Sequence, residues 1–406
     1  MRLGIDRLLD DGEGLRVPLR GRRVALLGHP ASVTHDLVHS LDALITCRDL
    51  RITAALGPQH GMKGDKQDNM VETPDERDAR LGIPVFSLYG RVRRPTAAMM
   101  DTFDVVLVDL QDIGTRVYTF VTTLLYMMEA CAQTGKSLWV LDRPNPAGRP
   151  VEGSLLQPGT ESFVGAGPLP MRHGLTMGEL ARWFARHFRL DLDLHVVTMA
   201  GYDPHAGPGY GWPLGELSWV NPSPNATTLS MARCYAGTVM VEGTTLSEGR
   251  GTTRPLEGAG APDLDPVALL QEMGRHSPGW LAGCRPRPWF FEPTFHKHVG
   301  KLCGGLQFHV DAGGYDHDRF RPYRLMALFF KAVRRLHPDY PLWRDFPYEY
   351  VTDRLAIDVI TGGPLLRTWV DDGAATCGDL DAILARDEAR FVAERRDLLC
   401  YASAAE

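Results

Sequence analysis

The stretch VVLVDLQDIGTR (Val105–Arg116) decides how the chain folds. VVLVDL is short and almost wholly apolar, without the alternation of a half-exposed strand, as expected for a strand covered on both faces. The polar turn QDIGTR follows it directly. Then Val117–Gln133 shows apolar residues at helical spacing, and Gly135 stands where a helix C-cap is expected. Strand, polar turn and helix in this order form half of a βαβ unit.

The same signature recurs on either side. Arg23–Leu27 (RVALL), Ile52–Leu56 (ITAAL) and Leu138–Leu141 (LWVL) are further buried strands, and Val33–Ile45 shows helical spacing. Strand–helix alternation predicts a mainly parallel sheet, an α/β fold. A helix is expected from Met177, where Thr176 and Glu179 have capping-box spacing. A strand is expected at Leu194–Met199. The Gly/Pro-rich run Asp203–Pro224 has no clear period. A junction at its end divides the chain into 1–225 and 226–406. The second part is less regular, with a strand at Leu306–Val310 and amphipathic helices at Tyr323–Leu336 and Leu380–Leu399. His296 and His298 would point the same way on a strand, although a polar loop fits them better.

Composition narrows the function. The chain has 406 residues and a net charge of −6, with 23% charged residues of both signs. That argues against general nucleic-acid binding, which needs a basic surface. The opening residues lack the apolar core of an export signal. No apolar run approaches the ~20 residues of a membrane helix. The seven cysteines are odd in number, widely spaced and without a CxxC pair, which reads as reduced thiols in a cytoplasmic protein. Neither GxGxxG, a Walker pattern nor HExxH occurs, so no nucleotide cofactor and no metal are expected. Oligomeric state is not legible.

Chemistry collects after the strands. ITAAL is followed by Gln59 and His60, then Asp65 and Asp68; VVLVDL by Gln111, Asp112 and Arg116; LWVL by Asp142, Arg143 and Asn145. In open α/β sheets the carboxyl ends of the strands line one crevice where ligands bind. Any one such loop is explained by turn formation alone. Three at one sheet edge point to a site. A second cluster, Ser247–Pro255, packs Glu248, Arg250, Thr252, Thr253 and Arg254 between glycines, with Glu242 just upstream. Guanidinium forks there suit carboxylate or sugar oxygens. Arg172, His173, Asn221 and Asn225 are further candidates for the cleft.

These residues carry a resemblance. GPQHG-MKGD (Gly57–Asp65), VFSLYG (Val85–Gly90), DLQDIGTRVYT (Asp109–Thr119), LDRPNP (Leu141–Pro146), VEGSLL (Val151–Leu156), NPSPN (Asn221–Asn225) and EGTTLSEGRGTTRP (Glu242–Pro255) resemble the NamZ-type exo-β-N-acetylmuramidases from about Gly21 onward. The resemblance implies a Rossmann-like N-terminal domain, a smaller α+β C-terminal domain and a cleft between them. It also implies release of terminal N-acetylmuramic acid from peptidoglycan fragments. The substrate would be a muropeptide or an amino-sugar disaccharide, met in the cytoplasm during cell-wall recycling.

One departure matters. The family commonly has Glu where this chain has Gln59, and an amide cannot act as general acid or base. Glu72 is then the first choice for the acid, Asp112 or Asp65 for activating water, and His60 for orienting or transferring a proton. Arg116, Arg143, Arg250 and Arg254 are candidates to hold the lactyl carboxylate. The alternative reading is a sugar-binding protein that has lost catalysis.

Overall fold

The computed structural model describes residues 1–68, 70–311 and 313–401. Seven strands form the first sheet: β1 (Arg23–Leu27), β2 (Arg51–Gly57), β3 (Glu76–Arg77), β4 (Pro84–Ser87), β5 (Val105–Val108), β6 (Ser137–Leu141) and β7 (Leu194–Val197). Their order is β3-β4-β2-β1-β5-β6-β7. All neighbours are parallel except the short edge strand β3, which runs antiparallel to β4. The six parallel strands thus run 3-2-1-4-5-6 among themselves, the doubly wound order. The direction of winding reverses between β1 and β5, the place where such sheets open a crevice.

Five helices cover the sheet: α1 (Gly4–Leu9), α2 (Ser40–Ile45), α3 (Ala97–Met100), α4 (Phe120–Thr134) and α5 (Met177–His187). Period-two alternation splits the central strands between two cores. Ala25, Leu27, Val106, Val108, Leu138 and Val140 face α4 and α5. Val24, Leu26, Val105, Leu107 and Leu141 face α1 and α2. Helix α4 ends at Gly135 in left-handed conformation (φ 64°). Helix α5 starts with the expected capping box between Thr176 and Glu179.

The helix expected over Val33–Ile45 begins only at Ser40. Upstream, Val33 bridges to His39, the Thr34 amide bonds to the Val38 carbonyl, and Leu37 takes φ 63°. Residues 33–39 therefore form a tight turn. The His39 ring then caps α2 by accepting from the Leu41 amide.

The second, smaller unit has helices α6 (Leu229–Thr238), α7 (Pro266–His276), α8 (Pro322–Leu336), α9 (Ala356–Thr361), α10 (Leu365–Asp371) and α11 (Cys377–Arg395). Its antiparallel sheet is formed by β8 (Gly258–Ala261), β9 (Arg285–Phe291) and β10 (Cys303–His309), with β10 in the centre. His296 and His298 lie in the loop between β9 and β10, both at positive φ, rather than on a strand.

The two units are tied by buried polar contacts. The Glu152 carboxylate accepts from the amides of Tyr323 (3.1 Å) and Arg324 (2.9 Å), anchoring the N-terminus of α8, where negative charge is favoured. The Tyr401 hydroxyl donates to Asp142 (2.7 Å) and accepts from the Met199 amide (2.9 Å), closing the ends of β6 and β7. No helix among the described residues is long and apolar enough to cross a membrane.

Candidate active site

The β1–β5 switch point carries a ring that organises the loops around it. His29, just after β1, is fully buried. Its Nδ1 donates to the Pro222 carbonyl (3.2 Å), and its Nε2 accepts from the Gln111 amide (2.9 Å). Accepting at Nε2 requires the neutral ring, and burial lowers its pKa well below the ordinary histidine value.

Beyond this floor lies a narrow polar cavity of about 40 Å3. Gln59 and His60 enter it from the loop after β2, and Thr119 from the start of α4. Asn225 comes from the junction segment, and Glu242, Arg250, Tyr348 and Glu349 from the second unit. Gln59 is buried, and its side-chain oxygen accepts from the Thr119 hydroxyl (2.8 Å). Asn225 is held by a bond to the Gln67 carbonyl (2.6 Å).

The carboxylates here have different surroundings. Arg250 bridges two of them, at 2.6 Å to Glu242 and 3.1 Å to Glu248. Glu242 also accepts from the Tyr348 hydroxyl (2.7 Å). Glu248 is fully buried behind the cavity, with Lys297 at 2.8 Å and His296 at 3.4 Å. Burial alone would raise its pKa, but Lys297 and Arg250 outweigh that and hold it well below the usual carboxylate range. Among the described residues, Glu349 has no cation of comparable closeness. Burial pushes its carboxyl up to about 7, against hydrogen bonds from Tyr89 and Gln59 and the pull of Arg93. Carboxylates driven apart in this way can divide acid and base roles.

The glycines of the Ser247–Pro255 loop are needed for its shape. Gly251 sits at φ 82°, and a Cβ there would lie 2.7 Å from the backbone nitrogens of Thr294 and Phe295. The loop is clamped against the β9–β10 connection, and this clamp presents Arg250 to the cavity.

Several expected ligand-binding residues turn out to hold the scaffold. Arg116 is fully buried and donates to the carbonyls of Ser154, Leu169 and Ile360. Arg172 donates to the Ala147 and Phe320 carbonyls. Arg143 pairs with Asp109 (2.5 Å) beneath the crevice. Asp142 is spent on Thr176, Gly178 and Tyr401, and burial pushes its carboxyl up to about 6. Asn145 and Gln111 bond neighbouring loop carbonyls. Asp112 accepts from the Gly114 amide and lies 3.4 Å from the His173 ring, both side chains buried.

Others lie outside the cavity. Glu72, the first choice for the acid, is exposed at the rim, beside Tyr350 (3.1 Å) and Arg93 (3.4 Å), and does not line the cavity. Asp65 is exposed and paired with Lys66. Asp68 lies 3.9 Å from His296 on the loop beside the cavity. Asn221 and Thr253 are exposed. Thr252 bonds the Gly249 carbonyl, and Arg254 pairs outward with Glu257. Sequence reasoning missed Glu349, Tyr348 and Tyr89. The only sequence signal was the acid set between tyrosines in PYEY (Pro347–Tyr350).

His60 gives the cavity a pH dependence. It takes φ 68°, and burial, then the nearby Arg250 charge, lower its pKa from 6.5 to about 4. A depressed histidine contributes stability that is complete above the unfolded value and is lost as pH falls through the folded one. Unfolding free energy is therefore expected to fall by on the order of 2 kcal/mol between pH 6.5 and pH 4 on this account. Denaturant titrations of His60→Gln should show a flatter acid limb, and an unchanged slope would refute the assignment.

The N-terminal model of the exo-β-N-acetylmuramidase NamZ matches residues 24–230 and the C-terminal model matches residues 233–401. The chain belongs to the NamZ family. It is 37% identical over 377 residues to the peptidoglycan β-N-acetylmuramidase NamZ of Bacillus subtilis (strain 168), covering 92% of this chain and 85% of that one. A crystal structure of a DUF1343 family protein from Bacteroides fragilis superposes with a TM-score of 0.85 at 27% identity, covering 99% of both chains. A second DUF1343 structure from the same organism, at 24% identity and a TM-score of 0.74 over 98% of both chains, shares the fold. NamZ membership thus spans both sides of the cavity, the strand-end loops and the Glu242–Pro255 loop alike.

Proposed function

We propose that this protein hydrolyses the β-glycosidic bond joining a terminal N-acetylmuramic acid to the rest of a peptidoglycan fragment. One observation carries the reading: the crevice of a NamZ-family chain holds carboxylates with opposed electrostatic surroundings, Glu242 bridged to Arg250 and Glu349 without such a bridge. Glycoside hydrolysis needs one group to protonate the leaving oxygen and negative charge to meet the cation forming at the anomeric carbon. Of the four arginines expected to hold the lactyl carboxylate, Arg250 is the one on the cavity. No nucleotide or metal is needed for this chemistry. Action on imported fragments in the cytoplasm belongs to the same proposal, and it is supported by free cysteines at all seven positions.

Incubation with a disaccharide ending in β-linked N-acetylmuramic acid should release the free sugar, read by chromatography. Binding without release over a long incubation would instead establish the sugar-binding alternative raised by Gln59. The same disaccharide ending in N-acetylglucosamine should be a poor substrate, since it lacks the lactyl carboxylate.

A further inference from the structure

Glu349 reaches the cavity on a backbone that glutamate and tyrosine rarely adopt. Tyr348 and Val351 pair through both their amides and carbonyls, leaving Glu349 and Tyr350 as the tip of a two-residue hairpin. Both tip residues have positive φ, 46° and 68°. That pattern normally selects Asn-Gly, because a Cβ crowds the backbone in the left-handed region and only Gly and Asn tolerate it readily. Non-glycine residues held in this region cost of order 1–3 kcal/mol each and persist where the surroundings over-determine them.

The surroundings do so here. The Glu349 amide donates to the Met70 sulfur (3.3 Å). The Tyr350 ring and the buried Tyr89 ring both pack on the Arg93 guanidinium, at 4.5 and 4.1 Å. The Tyr348 hydroxyl is tied to Glu242. The hairpin of the second unit is therefore clamped onto the rim of the first, and the clamp aims one carboxyl into the cavity. Tyr89 donates to both of its oxygens (3.0 and 2.9 Å). The Gln59 side chain shares the cavity wall with it and favours its ionised form. Because the Gln59 oxygen is already taken by Thr119, the amide NH2 is the group left to face Glu349. A glutamate at position 59 would set two carboxyls against each other, whereas the amide donates.

We propose that Glu349 is the proton donor to the glycosidic oxygen, with Gln59 and Tyr89 as positioning residues. The assignment rests on the hydrolase reading above and supplies the acid that Gln59 cannot be. As the bond from the anomeric carbon to the leaving oxygen breaks, its electron pair goes to that oxygen, which takes the Glu349 proton and departs as a sugar hydroxyl. The positive charge left at the anomeric carbon faces the Glu242 carboxylate. Water then adds to that carbon, and its released proton returns to Glu349, restoring the acid. No oxidant, metal or reactant other than water is needed.

The titratable and charged groups facing Glu349 come from every side. His60 lies beyond Gln59 on the β2 loop, and Tyr89 and Arg93 lie on the β4 side. Tyr235 projects from α6, and Glu242, Arg250 and Tyr348 complete the wall. The acid form of Glu349 is favoured below about pH 7, so kcat/KM should fall as pH rises through that value.

The experiment compares the wild type, Glu349→Gln and Glu349→Asp on two substrates. One is the disaccharide with terminal β-N-acetylmuramic acid, whose second sugar is a poor leaving group. The other is the 4-nitrophenyl β-glycoside of the same sugar, whose leaving group needs no proton. Loss of a general acid lowers turnover by roughly 10²–10⁴-fold. Glu349→Gln should lose that much on the disaccharide, less than about tenfold on the aryl glycoside, and the basic limb of its pH profile. Glu349→Asp keeps a carboxyl and should restore part of the disaccharide activity. Equal losses on both substrates, or a basic limb surviving in Glu349→Gln, would overturn the assignment. Should Glu349→Gln fail to fold, the aspartate variant decides: wild-type selectivity between the substrates with an unmoved basic limb overturns it. A wild type that cleaves neither substrate refutes the hydrolase reading itself, a result distinct from a failure of Glu349.

Discussion

Arg143→Ala is expected to lower the unfolding free energy by about 3–5 kcal/mol, the cost of leaving one charge of a buried pair alone. Asp109 is fully buried and Arg143 nearly so. The guanidinium grips both Asp109 oxygens, at 2.5 and 3.1 Å, and donates to the Val33 carbonyl (2.5 Å). The Ser40 hydroxyl completes the Asp109 shell at the start of α2. One side chain thus joins the ends of β5 and β6 to the turn after β1, directly under the crevice. Since whole domains are stable by only about 5–15 kcal/mol, the loss is large. Chemical denaturation would measure it, and a loss under 1 kcal/mol would show that water reaches the orphaned Asp109. The Asp109→Asn/Arg143→Met double variant should recover part of the loss, because both charges then leave the interior together.

Arg250→Ala is the second large effect, and it should appear in both stability and turnover. The guanidinium separates Glu242 from Glu248, and both carboxylates are buried. Lys297 and His296 still face Glu248, whereas Glu242 loses its 2.6 Å ion pair and retains the Tyr348 hydroxyl bond. A stability loss of about 3–5 kcal/mol follows from the same argument. Tyr348 neighbours Glu349, so a shifted Glu242 also moves the hairpin that carries the acid. Misplacement of about 1 Å costs on the order of 10²-fold in rate, and kcat should fall by that amount. Arg250→Lys keeps the charge but cannot fork to two carboxylates, so it should recover stability better than turnover. Wild-type kcat in Arg250→Ala would show that the bridge does not position the site.

The parts of the fold legible in the sequence were those with a hydrophobic pattern. β1, β2, β5 and β6 are buried on both faces and read as continuous apolar runs. Helix α4 is amphipathic enough to be seen and ends at a glycine. The strands that escaped have no such pattern. β8 is Gly-Ala-Gly-Ala, where small residues let backbones approach: a Cβ on Gly260 would lie 2.5 Å from the Gly304 carbonyl oxygen. β9 contains Pro286 and Pro288, which a strand tolerates only at an edge, and β9 is an edge strand.

The site was legible as a place more than as a set of residues. The strand-end loops do converge, but irregular buried loops leave many carbonyls without regular partners. Arg116 and Arg172 satisfy those carbonyls, and from sequence such arginines are indistinguishable from arginines waiting for a ligand. Glu349 was illegible for another reason. Its partner Tyr89 lies 260 residues away, and nothing local to PYEY announces the meeting.

The Tyr401 contact on Asp142 bears on the order in which the protein can mature. Asp142 directly follows β6, but the hydroxyl that closes over it is synthesised 259 residues later. Arg149 waits likewise for the Tyr401 carbonyl, and Glu179 for the Cys400 amide. A nascent chain can wind its parallel strands on the ribosome, yet the floor under β6 and β7 stays unsealed until translation has passed Tyr401. Fragments released earlier would expose a buried carboxyl and frayed strand ends, a ready mark for cellular proteases.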